Sequence, residues 1–123
     1  MWSRLLAIKN HREHRLRAEI NRIHAQIRAQ TGALEDIRRQ RVESAQRWRK
    51  HSQKTCTGKA DQLHQLRSEL NHFYTADLQF QKEGERLQKE MEDSHKQRAE
   101  LEEALKKCIK KQEKLQLVHP MEQ

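Results

Sequence analysis

Residues 63–115 read LHQLRSELNHFYTADLQFQKEGERLQKEMEDSHKQRAELEEALKKCIKKQEKL and keep one heptad register throughout. Two positions of each heptad form a seam, and eleven of these sixteen positions are apolar although only 33% of the chain is hydrophobic. The first series is Leu63, Leu70, Asp77, Gly84, Met91, Arg98, Leu105 and Gln112, and the second is Leu66, Phe73, Phe80, Leu87, Ser94, Leu101, Cys108 and Leu115. A 3.5-residue apolar period with a charged exterior is typical of a coiled-coil helix. Such a helix requires a partner helix.

The first half of the chain supplies that partner, because its apolar residues follow the same 3-4 spacing. The seam there consists of Trp2, Leu6, Leu16, Ile20, Ile23, Ile27, Leu34, Ile37 and Trp48, with polar interruptions at Lys9, Glu13, Gln30, Arg41 and Ser44. Gly32 costs about 1 kcal/mol relative to alanine in a helix, but the register passes through it. We therefore predict one helix over about residues 3–54.

Residues 55–61 read TCTGKAD and separate the two helical halves. Gly58 suits the left-handed position that follows a helix end, and Thr57 and Asp61 are candidate caps for the next helix. We predict a turn at about residues 55–61, a second helix at about 62–117, and a tail at 118–123 in which Pro120 stops the helix. The chain is thus expected to be a single all-α domain, residues 1–123, with two long helices in an antiparallel coiled-coil hairpin.

Two antiparallel registers fit this turn, one in which the numbers of facing residues sum to 114 and one in which they sum to 121. The first pairs Trp48 with Leu66. The second pairs Trp48 with Phe73 and Leu16 with Leu105, and we favour it for its run of aliphatic layers. The sequence leaves both registers open.

Arg41 and Asp77 interrupt the two seams about half a layer apart in either register. We predict that they form a partly buried ion pair which fixes the register, a common use of polar seam residues. The alternative is that the Arg41 side chain extends outward over an aromatic neighbour.

The charges are divided unevenly between the two halves. Residues 1–54 carry fourteen Lys and Arg against five Asp and Glu, whereas residues 55–123 carry twelve against thirteen, which together give the net charge of +8. The acidic residues concentrate at 83–103, which in a hairpin would face about residues 15–38. Opposite charges beside the seam favour pairing within one chain, so a monomer is expected. The simpler interpretation is that most of these charges are solvated faces.

Catalytic and metal-binding motifs are not apparent in the sequence. His11 and His14 share a helix face but lack a third ligand, and Cys56 and Cys108 would lie about 70 Å apart along a hairpin. Unpaired cysteines are typical of a reducing compartment, and no apolar run is long enough to cross a membrane. We expect no enzymatic activity, cofactor, metal or membrane insertion.

Two function classes fit a basic coiled coil. One is a structural or adaptor protein that binds other proteins. The other is a protein that binds nucleic acid non-specifically through phosphate attraction, which a pI of about 9.8 allows. The apolar stripe of the basic helix is already needed for the seam, and no separate cluster of Asn or Arg is available for base edges, so the first class is favoured.

Two segments resemble the YscO/FliJ family of type III secretion stalk proteins. Residues 5–17 read LLAIKNHREHRLR, which is similar to the apolar pair, Ile-Lys step and Arg-Glu pair at the start of that family. Residues 105–115 read LKKCIKKQEKL, which is similar to its Lys-rich C-terminal stretch. The resemblance, which extends over the whole chain in size and layout and favours the injectisome branch, implies a cytoplasmic antiparallel coiled coil. It would engage the hexameric secretion ATPase and the export gate, and some members bind secretion chaperones.

The resemblance also implies that the paired chain termini enter the ATPase pore. In a hairpin the end opposite the turn is strongly basic, and its seam is interrupted at Lys9 and Glu13, so we expect it to be loosely packed and to be ordered on contact with a complementary ring. The predicted ATPase-docking residues are Arg4, Lys9, Arg12, Arg15, Lys107, Lys110 and Lys111. The residues left to face the export gate or a chaperone are Trp48, Phe73 and Tyr74.

Overall fold

The structure is a computed structural model that describes residues 2–55 and 60–118. Helix α1 spans Trp2–Thr55 and helix α2 spans Ala60–Val118, and they pack against each other as an all-α helical hairpin. The helices extend one or two residues beyond the predicted bounds of 3–54 and 62–117. The predicted turn residue Gly58, together with Cys56 and Pro120, lies outside the described residues.

The seam predicted from the heptad pattern is the buried stripe of both helices. Among the seam positions from Leu6 to Trp48 and from Leu63 to Leu115, only Arg41 and Leu63 are exposed, and the others are buried or half-buried. The most deeply buried apolar side chains are Leu16, Ile20, Ile23, Leu34, Leu87 and Cys108. Full burial of one such aliphatic side chain stabilises a fold by about 1.5–3 kcal/mol. The seam is therefore the main source of stability in a chain with so few apolar residues.

The chain divides into two compact units, each built from both helices. Unit 1 contains residues 2–29 and 91–118 in its described part, so it combines the beginning of α1 with the end of α2. The Gln112 amide donates a hydrogen bond to Asn10 Oδ1 at 3.1 Å, and the Gln26 amide donates to Ser94 Oγ at 3.4 Å. The later residue of α1, Gln26, thus contacts the earlier residue of α2, Ser94, so the helices of unit 1 are antiparallel.

Unit 2 contains residues 30–90 and settles the register at its aromatic layer. The rings of Trp48 and Phe73 stack with their centroids 5.9 Å apart. This is the pair of the 121 register, whereas the 114 register would place Leu66 against Trp48. His51 also contacts Glu69 across the helices.

Candidate protein-binding surfaces

The seven residues predicted to dock on an ATPase all lie in unit 1. Arg4, Lys9, Arg12 and Arg15 belong to α1, and Lys107, Lys110 and Lys111 belong to α2. All of them are exposed except Lys9, which is half-buried at its seam position. Within residues 2–55 and 60–118, none of the seven cations lies within 4.0 Å of a carboxylate. We call the end of unit 1 that carries these residues the basic end.

The polar seam positions of the basic end are hydrogen-bonded, although the sequence predicted a loosely packed seam here. Glu13 accepts from Arg17 at 2.9 Å. The Cys108 thiol donates to the Lys9 carbonyl oxygen at 3.6 Å, and the Gln112 amide is buried and donates to α1. The hydrogen bonds from Cys108 and Gln112 therefore join the two helices, whereas the bond between Arg17 and Glu13 lies within α1.

Glu13 remains ionised beside these cations. The hydrogen bond from Arg17, and then one from Gln112, hold the pKa of Glu13 below its ordinary value. A lowered pKa means that this carboxylate stabilises the folded state above the ordinary pKa of about 4.5 and that the contribution is lost as the pH falls below it. The charge of Glu13 is thus constant near neutral pH.

One flank of the basic end carries two adjoining clefts that share Lys9 and Lys111. The outer cleft, nearer the chain ends, has a volume of about 330 Å³ and an apolar floor between lysines. Its lining residues are Leu5, Lys9, Lys111, Lys114, Leu115 and Val118. The inner cleft, of about 460 Å³, adds Arg12, Lys107, Ala104 and Cys108, with Ala99, Glu100 and Glu103 around it. We call the two clefts together the basic groove. Leu5, Lys114 and Val118 line these clefts but are not among the seven residues that the sequence predicted to dock.

The basic groove does not include all seven of the residues predicted to dock. Lys9, Arg12, Lys107 and Lys111 line it, whereas Lys110 does not. Arg4 and Arg15 are also outside the lining. Arg17, which belongs to the same stretch of α1, is paired with Glu13.

In unit 2, Arg41 and Asp77 form the ion pair that was predicted from the sequence. Arg41 Nε lies 2.7 Å from Asp77 Oδ1, and Arg41 Nη2 lies 3.2 Å from Asp77 Oδ2. The two side chains are 46% and 26% exposed. The hydrogen bond to Asp77 raises the pKa of Arg41 above its ordinary value. The Arg41 guanidinium thus binds the carboxylate in a forked geometry, whereas its role in fixing the register remains a prediction.

That role is testable with a double-mutant cycle of Arg41→Leu and Asp77→Leu. We expect a measurable positive coupling free energy between the two residues in urea denaturation, because the fork joins both helices. The matched control is the cycle of Arg39→Leu and Asp36→Leu, a pair on one helix, for which a smaller coupling is expected. Equal couplings in the two cycles would show that the Arg41–Asp77 pair adds nothing to the pairing of the helices.

The three aromatic residues predicted to contact an export gate or a chaperone lie together in unit 2. The rings of Phe73 and Tyr74 are 5.6 Å apart and tilted, and Phe73 stacks on Trp48. Trp48 and Phe73 are half-buried in the seam, so only Tyr74, at 60% exposure, presents most of its ring to solvent. Leu78, four residues after Tyr74 on the same helix face, is also half exposed and was not predicted.

Direct ion pairs between the helices are few in the described part of the chain. Arg41–Asp77 is one, and two histidines approach carboxylates on the other helix: His51 contacts Glu69, and His24 Nε2 lies 3.8 Å from Glu102 Oε1. Arg86 in the acidic segment binds Glu83 and Glu90 on its own helix. The acidic segment therefore acts mainly as a solvated, locally paired face, which is the simpler of the two interpretations.

Residues 2–55 and 60–118 contain neither a metal-ligating cluster nor a membrane-spanning helix. Within them no three His, Cys, Asp or Glu side chains are grouped so as to hold a metal ion, His11 and His14 included. Neither helix, over the same ranges, has the length and apolar character required to cross a membrane.

Comparison with known proteins identifies no relative of this chain. No protein-family model matches it, and neither a curated protein nor a solved structure does.

Proposed function

We propose that this chain is a non-enzymatic stalk or adaptor of a type III protein secretion export apparatus. It docks on the hexameric secretion ATPase through the basic end and links the ATPase to the export gate, with secretion chaperones as further partners. It acts as a monomer at the cytoplasmic face of the apparatus. The observation that carries the proposal is that unit 1 gathers seven cations with no carboxylate within 4.0 Å among the described residues, and that six of them, all but Arg4, belong to the two helix segments that resemble the stalk family.

The two family-like segments contact each other directly. The hydrogen bond from Gln112 to Asn10 and the contact between Cys108 and the Lys9 carbonyl both join residues 5–17 to residues 105–115. The two segments that resemble the stalk family therefore form one continuous surface, to which both helices contribute. This supports a shared docking role for the two segments.

Cations that have no carboxylate within 4.0 Å in residues 2–55 and 60–118 give the basic end a means of recognition. Complementary charge accelerates encounter and fixes orientation more than it raises affinity, which suits a protein that enters a larger ring. The exposed Tyr74 face in unit 2 is a separate surface and is proposed as the contact to the export gate or a chaperone.

Charge reversal tests the proposal. We expect the triple variant Lys107→Glu, Lys110→Glu, Lys111→Glu to bind the cognate hexameric secretion ATPase about tenfold or more weakly and with less salt dependence than the natural chain. The matched control is Lys82→Glu, Lys89→Glu, Lys96→Glu, which changes the net charge equally at exposed positions of the same helix. Sedimentation or anisotropy binding across a salt series measures the effect, and circular dichroism checks that both variants stay helical.

Unchanged affinity and salt dependence in the folded triple variant would contradict docking through the basic end. Equal losses in the two variants would show a response to net charge alone and would also contradict it. A natural chain that binds duplex DNA with the same salt dependence and fails to bind the ATPase would favour the nucleic-acid alternative.

A further inference from the structure

We propose that the basic groove of unit 1 is a receptor for one acidic amphipathic helix of a partner protein. The helix packs into the groove between α1 and α2 as the third helix of a coiled coil. Its apolar stripe covers the groove floor, and its carboxylates face the lysines. The inference rests on the proposed function only in treating the basic end as a protein-docking surface, and it adds the chemistry of the bound segment.

The groove floor leaves apolar side chains partly exposed in the described residues. Leu5 is 44% exposed and Val118 is 65% exposed, and both line the outer cleft with half-buried Leu115. Ile8, one helical turn after Leu5 on α1, is 61% exposed. Adjacent apolar groups at the surface favour an apolar partner, since covering them removes their contact with water.

The rim of the groove requires that this partner also be acidic. Lys9, Arg12, Lys107, Lys111 and Lys114 line the groove, and none of them has a carboxylate within 4.0 Å in the part of the chain that the structure describes. A purely apolar ligand would displace the water that hydrates these cations and would offer no hydrogen-bond acceptor or negative charge in its place, which is unfavourable. Carboxylates on both sides of an apolar stripe satisfy the rim and the floor together.

The distribution of charge along the groove fixes where the acids of the partner lie. The two acidic residues of the lining, Glu100 and Glu103, border only the inner cleft, whereas the outer cleft has three lysines and no acid. The carboxylates of the bound helix are therefore expected near Lys111 and Lys114.

The shape of the groove favours a helix over an extended segment. Its α2 wall extends over residues 99–118, which at 1.5 Å per residue is roughly 28 Å, or about five helical turns. The walls are helices, whose backbone groups bond within the helix and offer no edge for strand addition. A helix satisfies its own backbone, and an apolar stripe at i, i+3, i+4 and i+7 fits between two coiled-coil helices.

Two other occupants fit the groove less well. Nucleic acid would contact the cations through phosphates but would leave the apolar floor uncovered and would meet Glu100 and Glu103. A second copy of this chain has its acidic segment at residues 83–103, whose apolar stripe is already in its own seam: Leu87 is buried and Leu101 is half-buried.

The probe is a labelled synthetic peptide of about 20 residues with leucines at heptad seam positions and glutamates beside them, measured by fluorescence anisotropy with the full chain. A scrambled peptide of the same composition, which lacks the apolar stripe, is the control ligand. The groove variant is Lys111→Glu, Lys114→Glu, and its matched control is Lys96→Glu, Lys106→Glu, at exposed positions outside the lining. A second pair compares Val118→Ser with Leu117→Ser, whose side chain is 80% exposed and outside the groove.

We expect the amphipathic peptide to bind the natural chain at least about tenfold more tightly than the scrambled one. The groove charge variant should lose about tenfold and Val118→Ser several-fold, with both controls within about twofold of the natural chain. Equal binding of the two peptides, or equal losses in groove and control variants, would overturn the proposal. Two further outcomes would overturn the proposal. One is that the peptide does not bind the natural chain, while a short DNA duplex binds it and the groove charge variant loses that binding. The other is that the natural chain is a dimer in sedimentation equilibrium and the groove charge variant is a monomer.

Failure of this proposal is distinguishable from failure of the proposed function. The peptide assay contains no ATPase. Failure of the ATPase to bind the natural chain would therefore contradict the stalk proposal without affecting the peptide result. A chain that binds the ATPase and ignores the peptide contradicts the acidic-helix receptor alone.

Discussion

Replacement of Ile23 by alanine is expected to lower the free energy of unfolding by about 2–4 kcal/mol. Ile23 is only 4% exposed and belongs to the firmest part of the α1 seam. The truncation removes three carbons from a packed layer and leaves a cavity that two helices can only partly close. A protein that packs one stripe between two helices has few other layers to compensate.

Ile8 provides a matched control for this prediction because the same substitution can be made on the same helix. Its side chain is 61% exposed, so Ile8→Ala is expected to change stability by less than about 0.5 kcal/mol. Urea denaturation followed by circular dichroism measures both variants against the natural chain. Similar losses at the two positions would mean that the heptad stripe does not hold the helices together.

The seam could be predicted from the sequence because its signal is periodic. Polar interruptions such as Asp77 and Gly84 did not obscure it, since the surrounding heptads kept the register and the structure leaves neither residue exposed. The Trp48–Phe73 layer belongs to the register that the sequence favoured, but the heptad pattern alone also allowed the register that pairs Trp48 with Leu66. Each heptad repeats the same spacing of apolar residues, so a long helix carries the signal many times.

The basic groove could not be predicted in the same way. Charge alone grouped Lys107, Lys110 and Lys111, but Lys110 lies outside the lining of the groove. Which flank a side chain faces depends on the rotation of each helix about its axis and on the size of its neighbours. Small Ala104 opens the inner cleft, and Val118, which the sequence assigned to the tail, is helical and lines the outer one.

The ion pairs show a related limit of the sequence analysis. The opposite charges of the two halves favoured pairing of the helices within one chain, with most individual charges solvated, and in the structure Arg86 and Arg39 bind carboxylates three or four residues away. A partner on the same helix is already held within reach, so pairing with it orders fewer side chains than a contact across the hairpin. Net charge by segment therefore predicted the sign of a surface and not its contacts.

Replacement of Gln30 by leucine is expected to raise the free energy of unfolding by about 1–2 kcal/mol. Gln30 occupies a seam position and is 9% exposed, and its Oε1 atom has no hydrogen-bond partner among the described residues. A buried acceptor without a partner loses its hydration on folding and gains nothing in return. Leucine has a similar volume, removes the acceptor and adds apolar contact to the seam.

Gln40, an exposed residue of the same helix, supplies the matched control. Gln40→Leu is expected to change stability by less than about 0.5 kcal/mol, so a gain confined to Gln30→Leu in urea denaturation would assign the effect to burial. A loss of stability at Gln30 would show that its amide is satisfied in solution and that the polar layer stabilises the fold. Polar seam residues can also select one register and oligomeric state at the expense of stability. We therefore expect Gln30→Leu to broaden the distribution of associated species in sedimentation equilibrium while Gln40→Leu does not, because only the seam substitution makes competing apolar pairings more favourable.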